Sequence, residues 1–402
     1  MENTPKGLRK HIGIYGKVNA GKSSIMNSMV GQDVSLVSEV KGTTTDPVSK
    51  AMELIGLGPV VFIDTAGIND YSELGELRVE KSIGTMDNID YGIFIIAADE
   101  IEWDSLNDFK NLMKQRKTPY VIIINKIDLL SSHMLNELKE EILLKDALFI
   151  SIKDDHSISK LKSHLVRELK DDEDNTLIGD LVAYNGKVIL VIPTDSEAPK
   201  GRLILPQVQL IRDCLDHGIK SYIVRDTELK NALDDIEDVD LVITDSQIFK
   251  EVQKIIPKDM KLTSFSILMA RQKGDIHKFI DGVKALDKLK EKHIPKILIM
   301  ESCTHNTSHE DIGKVKIPNL LKKYLEKDIA FTFKMGEDFP KHIENYDLVI
   351  HCGSCMFNRK AMLRRIDLCG ESGVSITNYG IVLAYLAGIL DRSTEFLTEN
   401  II

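Results

Sequence analysis

The chain has 402 residues and a formal net charge of −10; 43% of its residues are hydrophobic and 28% are charged. This composition is typical of a globular protein of about three domains. The acidic balance argues against an extended nucleic-acid-binding surface, which needs clustered basic residues. The sequence has no apolar run of about 20 residues and no signal-peptide core at its charged N-terminus, so we expect a cytoplasmic protein without a membrane helix.

Strand-like and helix-like segments alternate in three successive blocks, which predicts an α/β fold with mainly parallel sheets. The first block covers residues 1–172 and ends in an acidic run. The second block covers residues 173–264 and the third covers residues 265–402. We expect three domains with these boundaries, of which the first and the third contain residues that suggest chemistry.

Residues 16–23 read Gly-Lys-Val-Asn-Ala-Gly-Lys-Ser, between a strand-like and a helix-like segment. In this context the pattern is typical of a phosphate-binding P-loop, in which backbone N–H groups and a helix N-terminus hold phosphate oxygens. Lys22 is predicted to reach the β- and γ-phosphates, and the Ser23 hydroxyl to bind Mg²⁺. Further nucleotide contacts are expected from Gly16, Asn19, Ala20, Gly21 and Ser24.

Two later segments supply the groups expected around the γ-phosphate. The run at 42–46 resembles the Gly-Thr-Thr-Arg-Asp switch of tRNA-modifying and Era-like GTPases, with Thr45 where those often have Arg. On this resemblance, Thr44 closes over the γ-phosphate and completes the Mg²⁺ shell. Asp64 is expected to hold Mg²⁺ through water, and the Gly67 N–H to contact the γ-phosphate. The predicted catalytic residues are thus Lys22, Thr44, Asp64 and Gly67.

Guanine specificity is predicted from two loops after strand-like runs. Asn125, Lys126 and Asp128 form an Asn-Lys-x-Asp motif, in which the carboxylate accepts two N–H bonds from the guanine edge. Adenine lacks that pair of donors, so it would leave a buried charge unpaired. A second loop resembles the last base-contacting loop of GTPases and consists of Ser151, Ile152 and Lys153.

Ile68 stands where Ras has its water-orienting Gln, so slow intrinsic hydrolysis is expected. Glu73 and Glu76 are candidates for positioning the water instead. Asn19 resembles the asparagine by which potassium-activated GTPases hold K⁺ beside the phosphates. The alternative is that Asn19 is an ordinary loop residue.

Three of the five cysteines lie in two motifs of the third block, Cys303-Thr304-His305 and His351-Cys352-Gly353-Ser354-Cys355. Each motif follows a strand-like run, so parallel strands would bring both to one carboxyl edge of a sheet, where α/β proteins bind ligands. Clustered cysteines in a reducing compartment favour a metal site. The two remaining cysteines, Cys214 and Cys369, are predicted to be core residues.

The residues alone leave the metal open between zinc and an iron–sulfur cluster. Thiolates with a histidine satisfy tetrahedral zinc. An iron–sulfur cluster usually takes four thiolates, so three cysteines would leave one iron for a histidine, a carboxylate or an exogenous ligand. His305 and His351 are therefore additional candidate ligands. Buried cysteines without metal and a redox-active Cys352–Cys355 dithiol are the remaining alternatives.

Together, the motifs resemble those of the [FeFe]-hydrogenase maturation GTPases, the HydF family, within the TrmE- and Era-like P-loop GTPases. The resemblance covers the whole chain, and its specific part is the Cys-x-His … His-Cys-x-x-Cys motif. It implies a GTPase domain (1–172), a dimerisation domain (173–264) and a cluster-binding domain (265–402). It also implies that a [4Fe–4S] cluster is held by Cys303, Cys352 and Cys355, whereas the role of the two histidines varies in the family.

The resemblance further implies a scaffold that receives a diiron precursor from radical-enzyme maturases and delivers it to immature [FeFe]-hydrogenase. A homodimer and K⁺ activation through Asn19 fit the family, and GTP hydrolysis would serve partner exchange. Neither nucleic acid nor membrane is expected as a partner. The alternative is a zinc-stabilised, Era-like GTPase that acts in RNA or ribosome maturation, which the acidic balance of the chain disfavours.

Overall fold

The computed structural model describes residues 6–30, 38–40, 48–64, 87–141, 144–170, 176–194, 201, 203–302, 311–336 and 338–398. The chain divides into two compact units, Met1–Glu173 and Asp174–Ile402. Both units alternate strands and helices, and most neighbouring strands are parallel. The predicted α/β class is therefore confirmed.

The first unit contains a seven-stranded sheet in the order β2-β3-β4-β1-β5-β6-β7. Its strands are β1 (Lys10–Tyr15), β2 (Ser38–Val40), β3 (Val48–Leu54), β4 (Gly58–Asp64), β5 (Tyr91–Ala97), β6 (Tyr120–Asn125) and β7 (Leu148–Phe149). Its described helices are α1 (Lys22–Val30), α2 (Trp103–Gln115), α3 (Ser132–Glu140) and α4 (Asp155–Leu169). The pairs β2–β3 and β3–β4 are antiparallel, and the other pairs are parallel.

The central strand β5 shows why this sheet is covered on both faces. All seven of its residues are buried, and a strand with two buried faces reads as a continuous apolar run rather than an alternating one. The parallel strands β1, β4 and β6 end at Tyr15, Asp64 and Asn125. Their carboxyl ends therefore share one edge of the sheet, which is the edge that carries the P-loop and the Asn-Lys-x-Asp motif.

The second unit contains two four-stranded parallel sheets. The first has the order β11-β10-β8-β9 and consists of β8 (Lys187–Val191), β9 (Lys220–Val224), β10 (Leu241–Thr244) and β11 (Leu262–Ser264). The second has the order β13-β12-β14-β15 and consists of β12 (Lys296–Glu301), β13 (Ala330–Met335), β14 (Leu348–His351) and β15 (Ser375–Asn378).

Ten α-helices are described in this unit. The first four are α5 (Leu205–Asp216), α6 (Leu229–Asp235), α7 (Phe249–Ile255) and α8 (Phe265–Lys273). The other six are α9 (Ile276–Val283), α10 (Ala285–Leu289), α11 (Ile317–Leu325), α12 (Arg359–Glu371), α13 (Tyr379–Leu386) and α14 (Leu390–Thr398). Nowhere in the described ranges is a helix both long and apolar enough to cross a membrane.

Helix α8 joins the two sheets of the second unit. Ser264, the last residue of β11, caps the helix, since its hydroxyl accepts from the Ile267 N–H at 3.2 Å. At the other end, the Arg359 guanidinium donates to the carbonyl oxygens of Gln272 at 2.6 Å and Gly274 at 3.0 Å. One apolar core includes residues of both sheets. This shared core explains why residues 174–402 form one compact unit, although they contain two separate sheets.

Candidate nucleotide site and cysteine site

The P-loop follows β1 and has a backbone that requires glycine at two positions. Gly16 and Gly21 have φ angles of +137° and +99°, which strain any residue with a side chain. A Cβ atom on Gly16 would lie 2.2 Å from the Ile95 carbonyl oxygen, and one on Gly21 would lie 2.1 Å from Asn125 Nδ2. The loop therefore packs directly on the ends of β5 and β6.

Lys22 begins α1, and its ammonium group donates to the carbonyl oxygens of Gly16 at 2.7 Å and Lys17 at 2.9 Å. Burial lowers the pKa of Lys22, and the Asp64 carboxylate partly offsets that shift. Burial likewise raises the pKa of Asp64, while Lys22 and Lys50 act in the opposite direction. Because Lys22 and Asp64 each affect the pKa of the other, the two side chains are close enough to interact at this edge of the sheet.

Asn19 adopts a left-handed backbone with a φ of +66°, and its side chain is exposed. Asparagine tolerates this conformation better than most residues with a side chain, so backbone geometry alone can account for the residue type. Ligation of K⁺ by Asn19 stays a prediction. Of the other predicted loop contacts, Ala20 is buried, and Ser23 and Ser24 are exposed.

Asn125, at the end of β6, ties the base-binding motif to the P-loop. It is 1% exposed, and its Nδ2 donates to the Ala20 carbonyl oxygen at 2.9 Å. Its Oδ1 is buried and has no hydrogen-bond partner within the described part of the chain. Buried polar atoms without a partner are rare, and they occur more often at functional sites.

Asp128 is held by the loop after β7. The Ser151 hydroxyl donates to Oδ1 at 2.8 Å and the Lys153 ammonium to Oδ2 at 2.6 Å. These two hydrogen bonds, with that of Lys153 the stronger influence, lower the pKa of Asp128. The carboxylate is ionised at neutral pH and can accept two N–H bonds from a guanine edge. Of the other two predicted base-contacting residues, Lys126 has a left-handed φ of +63°, and Ile152 is 39% exposed.

The contacts of Lys17, a P-loop residue, were not predicted from the sequence. Its ammonium group forms ion pairs with Glu100 at 2.6 Å and Glu102 at 2.7 Å, which lie just after β5. The Lys17 carbonyl oxygen in turn accepts from Lys22. Glu100 and Glu102 are more than 80 residues away in sequence, and no motif connects them to the loop.

Several predicted residues lie outside the described residues. In the first unit these are Thr44, Gly67, Ile68, Glu73 and Glu76. In the second unit they are Cys303 and His305. Their predicted roles stay predictions.

Cys352 lies at the carboxyl edge of the last sheet, where the strand pattern predicted it. Strands β12 and β14 are parallel neighbours, with Met300 opposite His351. The Cys352 N–H donates to the Met300 carbonyl oxygen at 2.9 Å, which extends the pairing by one residue. Cys352 and Cys355 are both half-buried thiols. By contrast, Cys214 and Cys369 are fully buried, so the prediction that they are core residues is confirmed.

The Cys352 sulfur is within hydrogen-bond distance of both polar groups of Ser302, the residue that follows β12. The Ser302 N–H lies 3.1 Å from Cys352 Sγ, and the Ser302 hydroxyl lies 3.2 Å from it. Donors aimed at a sulfur stabilise its thiolate and are typical around cysteines that ligate iron–sulfur clusters. The surroundings of Cys352 therefore fit a cluster ligand, and Cys355, the second cysteine of the motif, is a half-buried free thiol. Among the described residues, which do not include Cys303, no group of three metal-binding side chains occurs.

His351 is fully buried behind the cysteine loop. Its Nε2 lies 2.7 Å from the Arg365 guanidinium, and its Nδ1 lies 3.1 Å from both the Cys352 carbonyl oxygen and the Ser354 hydroxyl. Because arginine only donates hydrogen bonds, Nε2 is the acceptor and the ring proton lies on Nδ1. Burial, reinforced by the Arg365 charge, lowers the pKa of His351 to about 3. The ring is neutral, and both of its nitrogens have protein partners.

Comparison with known proteins separates the two units. A family model described as a 50S ribosome-binding GTPase matches residues 11–126. Similar curated proteins include the tRNA modification GTPase MnmE of Caldicellulosiruptor saccharolyticus, 28% identical over 56% of this chain and 46% of that protein. The MnmE of Leptospira interrogans is 31% identical over 44% of this chain and 39% of that protein. The chain thus spans less than half the length of these two relatives.

Among solved structures, that of Aquifex aeolicus Era bound to GDP and aluminium fluoride is similar, with 17% identity and a TM-score of 0.33 over 61% of this chain and 97% of that one. In the second unit, the hydrogen maturase F dimerization domain matches residues 177–274. The hydrogen maturase F tetramerization domain matches residues 277–396. These two models together span more than half of the chain. The chain therefore belongs to the hydrogen maturase F family, and its first unit contains a P-loop GTPase domain.

Proposed function

We propose that this protein is a GTP-hydrolysing scaffold that binds a [4Fe–4S] cluster and delivers a diiron precursor to immature [FeFe]-hydrogenase. The observation that carries this proposal is the Cys352 sulfur at a sheet edge, in contact with both the N–H and the hydroxyl of Ser302. It lies in the region that matches the hydrogen maturase F tetramerization domain. Radical-enzyme maturases would supply the precursor. The proposed cluster ligands are Cys303, Cys352 and Cys355.

The GTPase half of the proposal rests on the charges at the P-loop. Lys22 would bind the β- and γ-phosphates, Ser23 and Thr44 would hold Mg²⁺ directly, and Asp64 would hold it through water. Asp128 would select guanine, because its ionised carboxylate requires two N–H donors.

Asn19 would hold K⁺ beside the phosphates. For this last role we expect faster hydrolysis in potassium chloride than in sodium chloride, and an Asn19→Ala variant that no longer distinguishes the two salts; equal rates in the parent would refute it.

We also propose that the protein is a homodimer, paired through β9. This strand is an edge of its sheet, and its Ile223 side chain is 50% exposed. An unpaired edge strand presents a row of N–H and C=O groups that a second strand can satisfy. Pairing of two β9 strands would extend the sheet across the dimer and cover Ile223. The match to a dimerization domain over residues 177–274, which include β9, supports a dimer formed by this part of the chain.

The proposal is tested by anaerobic reconstitution of the full chain with iron and sulfide, followed by metal analysis and EPR after reduction with dithionite. A reduced [4Fe–4S] signal is expected in the parent, and a weaker one in Cys352→Ser and Cys355→Ser. Cys214→Ala is the matched control, since Cys214 is a fully buried core thiol and its loss should leave the signal unchanged. Zinc without a paramagnetic signal would refute the proposal and support a zinc-stabilised GTPase instead.

A further inference from the structure

Ser302 directs both its backbone N–H and its hydroxyl at one sulfur. The distances to Cys352 Sγ are 3.1 Å from the nitrogen and 3.2 Å from the hydroxyl oxygen. Ser302 is only 6% exposed, so water has little access to compete for these hydrogen bonds. The backbone N–H would be present with any residue except proline at this position, but the second donor depends on serine.

The position of the Cys352 sulfur is set by the protein backbone. The Cys352 N–H is bound to the Met300 carbonyl oxygen. The Cys352 carbonyl oxygen has three polar neighbours: His351 Nδ1 at 3.1 Å, the Ser354 hydroxyl at 3.3 Å and Asn378 Nδ2 at 3.2 Å. The main chain on both sides of the sulfur is thus held by hydrogen bonds within the protein. The contact between Ser302 and Cys352 is therefore built into the fold.

Ligation of iron decides the direction of the hydroxyl contact. In a neutral thiol, either Ser302 or Cys352 could donate across the 3.2 Å contact. A sulfur that is bonded to iron carries no proton, so it can only accept, and the Ser302 hydroxyl must then donate. Two donors on one ligating sulfur withdraw negative charge from it.

We infer that the Ser302 hydroxyl is a positioning group that raises the reduction potential of the cluster through its hydrogen bond to the Cys352 sulfur. This inference rests on the proposed function, because it requires the cluster. Reduction adds one electron and makes the cluster more negative, so the hydrogen bond is stronger in the reduced state. Removal of the hydroxyl disfavours reduction and leaves the three cysteine ligands in place.

The experiment compares four full-length proteins after anaerobic reconstitution: the parent, Ser302→Ala, Ser302→Thr and Ser266→Ala. Ser266 is the matched control, because its hydroxyl lies 3.2 Å from Asn378 Oδ1, beside the same loop, but is not bound to the sulfur. Iron per chain is measured first, and each cluster is then titrated with dithionite in the presence of redox mediators, with EPR as the readout. At the parent's midpoint, the ratio of reduced to oxidised cluster in Ser302→Ala should fall about fivefold, the factor typical of one hydrogen bond. Ser302→Thr keeps the hydroxyl and should stay near the parent, as should Ser266→Ala.

The outcomes distinguish the inference from the proposed function. A parent that takes up no cluster iron would overturn the proposed function and the inference with it. Equal iron contents and equal midpoints in the parent and Ser302→Ala would overturn the inference alone. A shift in Ser302→Ala that Ser266→Ala reproduces would also overturn it, because the effect would then not depend on the sulfur. Loss of iron from Ser302→Ala alone, with Ser302→Thr and Ser266→Ala intact, would also overturn the inference, because the hydroxyl would then be needed to retain the cluster rather than to set its potential.

Discussion

Replacement of Asn125 by alanine removes the contact between the base-binding motif and the P-loop. The Asn125 amide is buried, and its Nδ2 donates to the Ala20 carbonyl oxygen at 2.9 Å. Loss of the donor leaves that carbonyl without its partner in a buried site, which costs about 1–3 kcal/mol. If this loss falls on the nucleotide-binding conformation, affinity for GTP and GDP should decrease about 5- to 150-fold.

An aspartate at position 125 tests the same contact more severely. Asn125→Asp keeps the shape of the side chain but points a carboxylate oxygen at the Ala20 carbonyl oxygen, so two acceptors face each other. Burial of an uncompensated carboxylate adds a further cost. We therefore expect weaker nucleotide binding in Asn125→Asp than in Asn125→Ala.

Nucleotide affinity is measured by isothermal titration calorimetry with GDP and with a non-hydrolysable GTP analogue. Thermal unfolding of each variant shows whether the first unit is still folded. Asn136→Ala, an exposed asparagine on α3, serves as the control and should bind like the parent. If Asn125→Asp binds GDP as tightly as the parent, the hydrogen bond to Ala20 does not support nucleotide binding and the reasoning is wrong.

Two further predictions concern single side chains. Lys17→Met removes the ion pairs with Glu100 and Glu102 and should weaken GTP binding about two- to fivefold at low salt and less at high salt, as for other exposed ion pairs. GTP affinity is measured by equilibrium titration at two salt concentrations, with Lys160→Met as the control. An unchanged GTP affinity in Lys17→Met at low salt would contradict this prediction. Burial raises the pKa values of Cys214 and Cys369 to about 12, so both remain neutral thiols at pH 8. Brief treatment of the metal-free native protein with iodoacetamide should therefore label Cys352 and Cys355 first by mass spectrometry, and early label on Cys214 would contradict the assignment.

The nucleotide site could be predicted from sequence because its motifs encode local backbone geometry. Gly16 and Gly21 adopt conformations that strain other residues, and the close approach to Ile95 and Asn125 leaves no space for a Cβ atom. The spacing of the glycines in the motif therefore predicts the backbone conformation of the loop. Asp128 and Ser151 were both assigned to the base, because each belongs to a loop that follows a strand-like run, but a direct contact between them was not predicted. The hydrogen bond between them brings the two predicted loops together.

Contacts between side chains that are far apart in the sequence could not be predicted in this way. Lys17 pairs with Glu100 and Glu102, but in the sequence each is one charged residue among many. Ser302 was also missed, although it lies next to a predicted ligand. The parallel pairing of β12 and β14 was predicted. Which residue at the end of β12 faces the Cys352 sulfur, however, depends on the exact register of the two strands, which a strand pattern does not define.

His351 shows how a motif residue acquires a different interpretation once its surroundings are known. Its place beside Cys352 made it a candidate ligand, because a histidine near cysteines fits both zinc and iron. In the fold, the Arg365 guanidinium lies against the Phe357 ring at 4.3 Å and donates to Nε2, which consumes the lone pair that a metal would need. The Nδ1 proton faces the Cys352 carbonyl oxygen. Iron ligation by His351 would require one of these contacts to break, whereas an imidazole that keeps both holds the backbone of Cys352 in place. We therefore propose that His351 supports the cysteine loop, so that the fourth ligand of the proposed cluster would come from another residue or from an exogenous group.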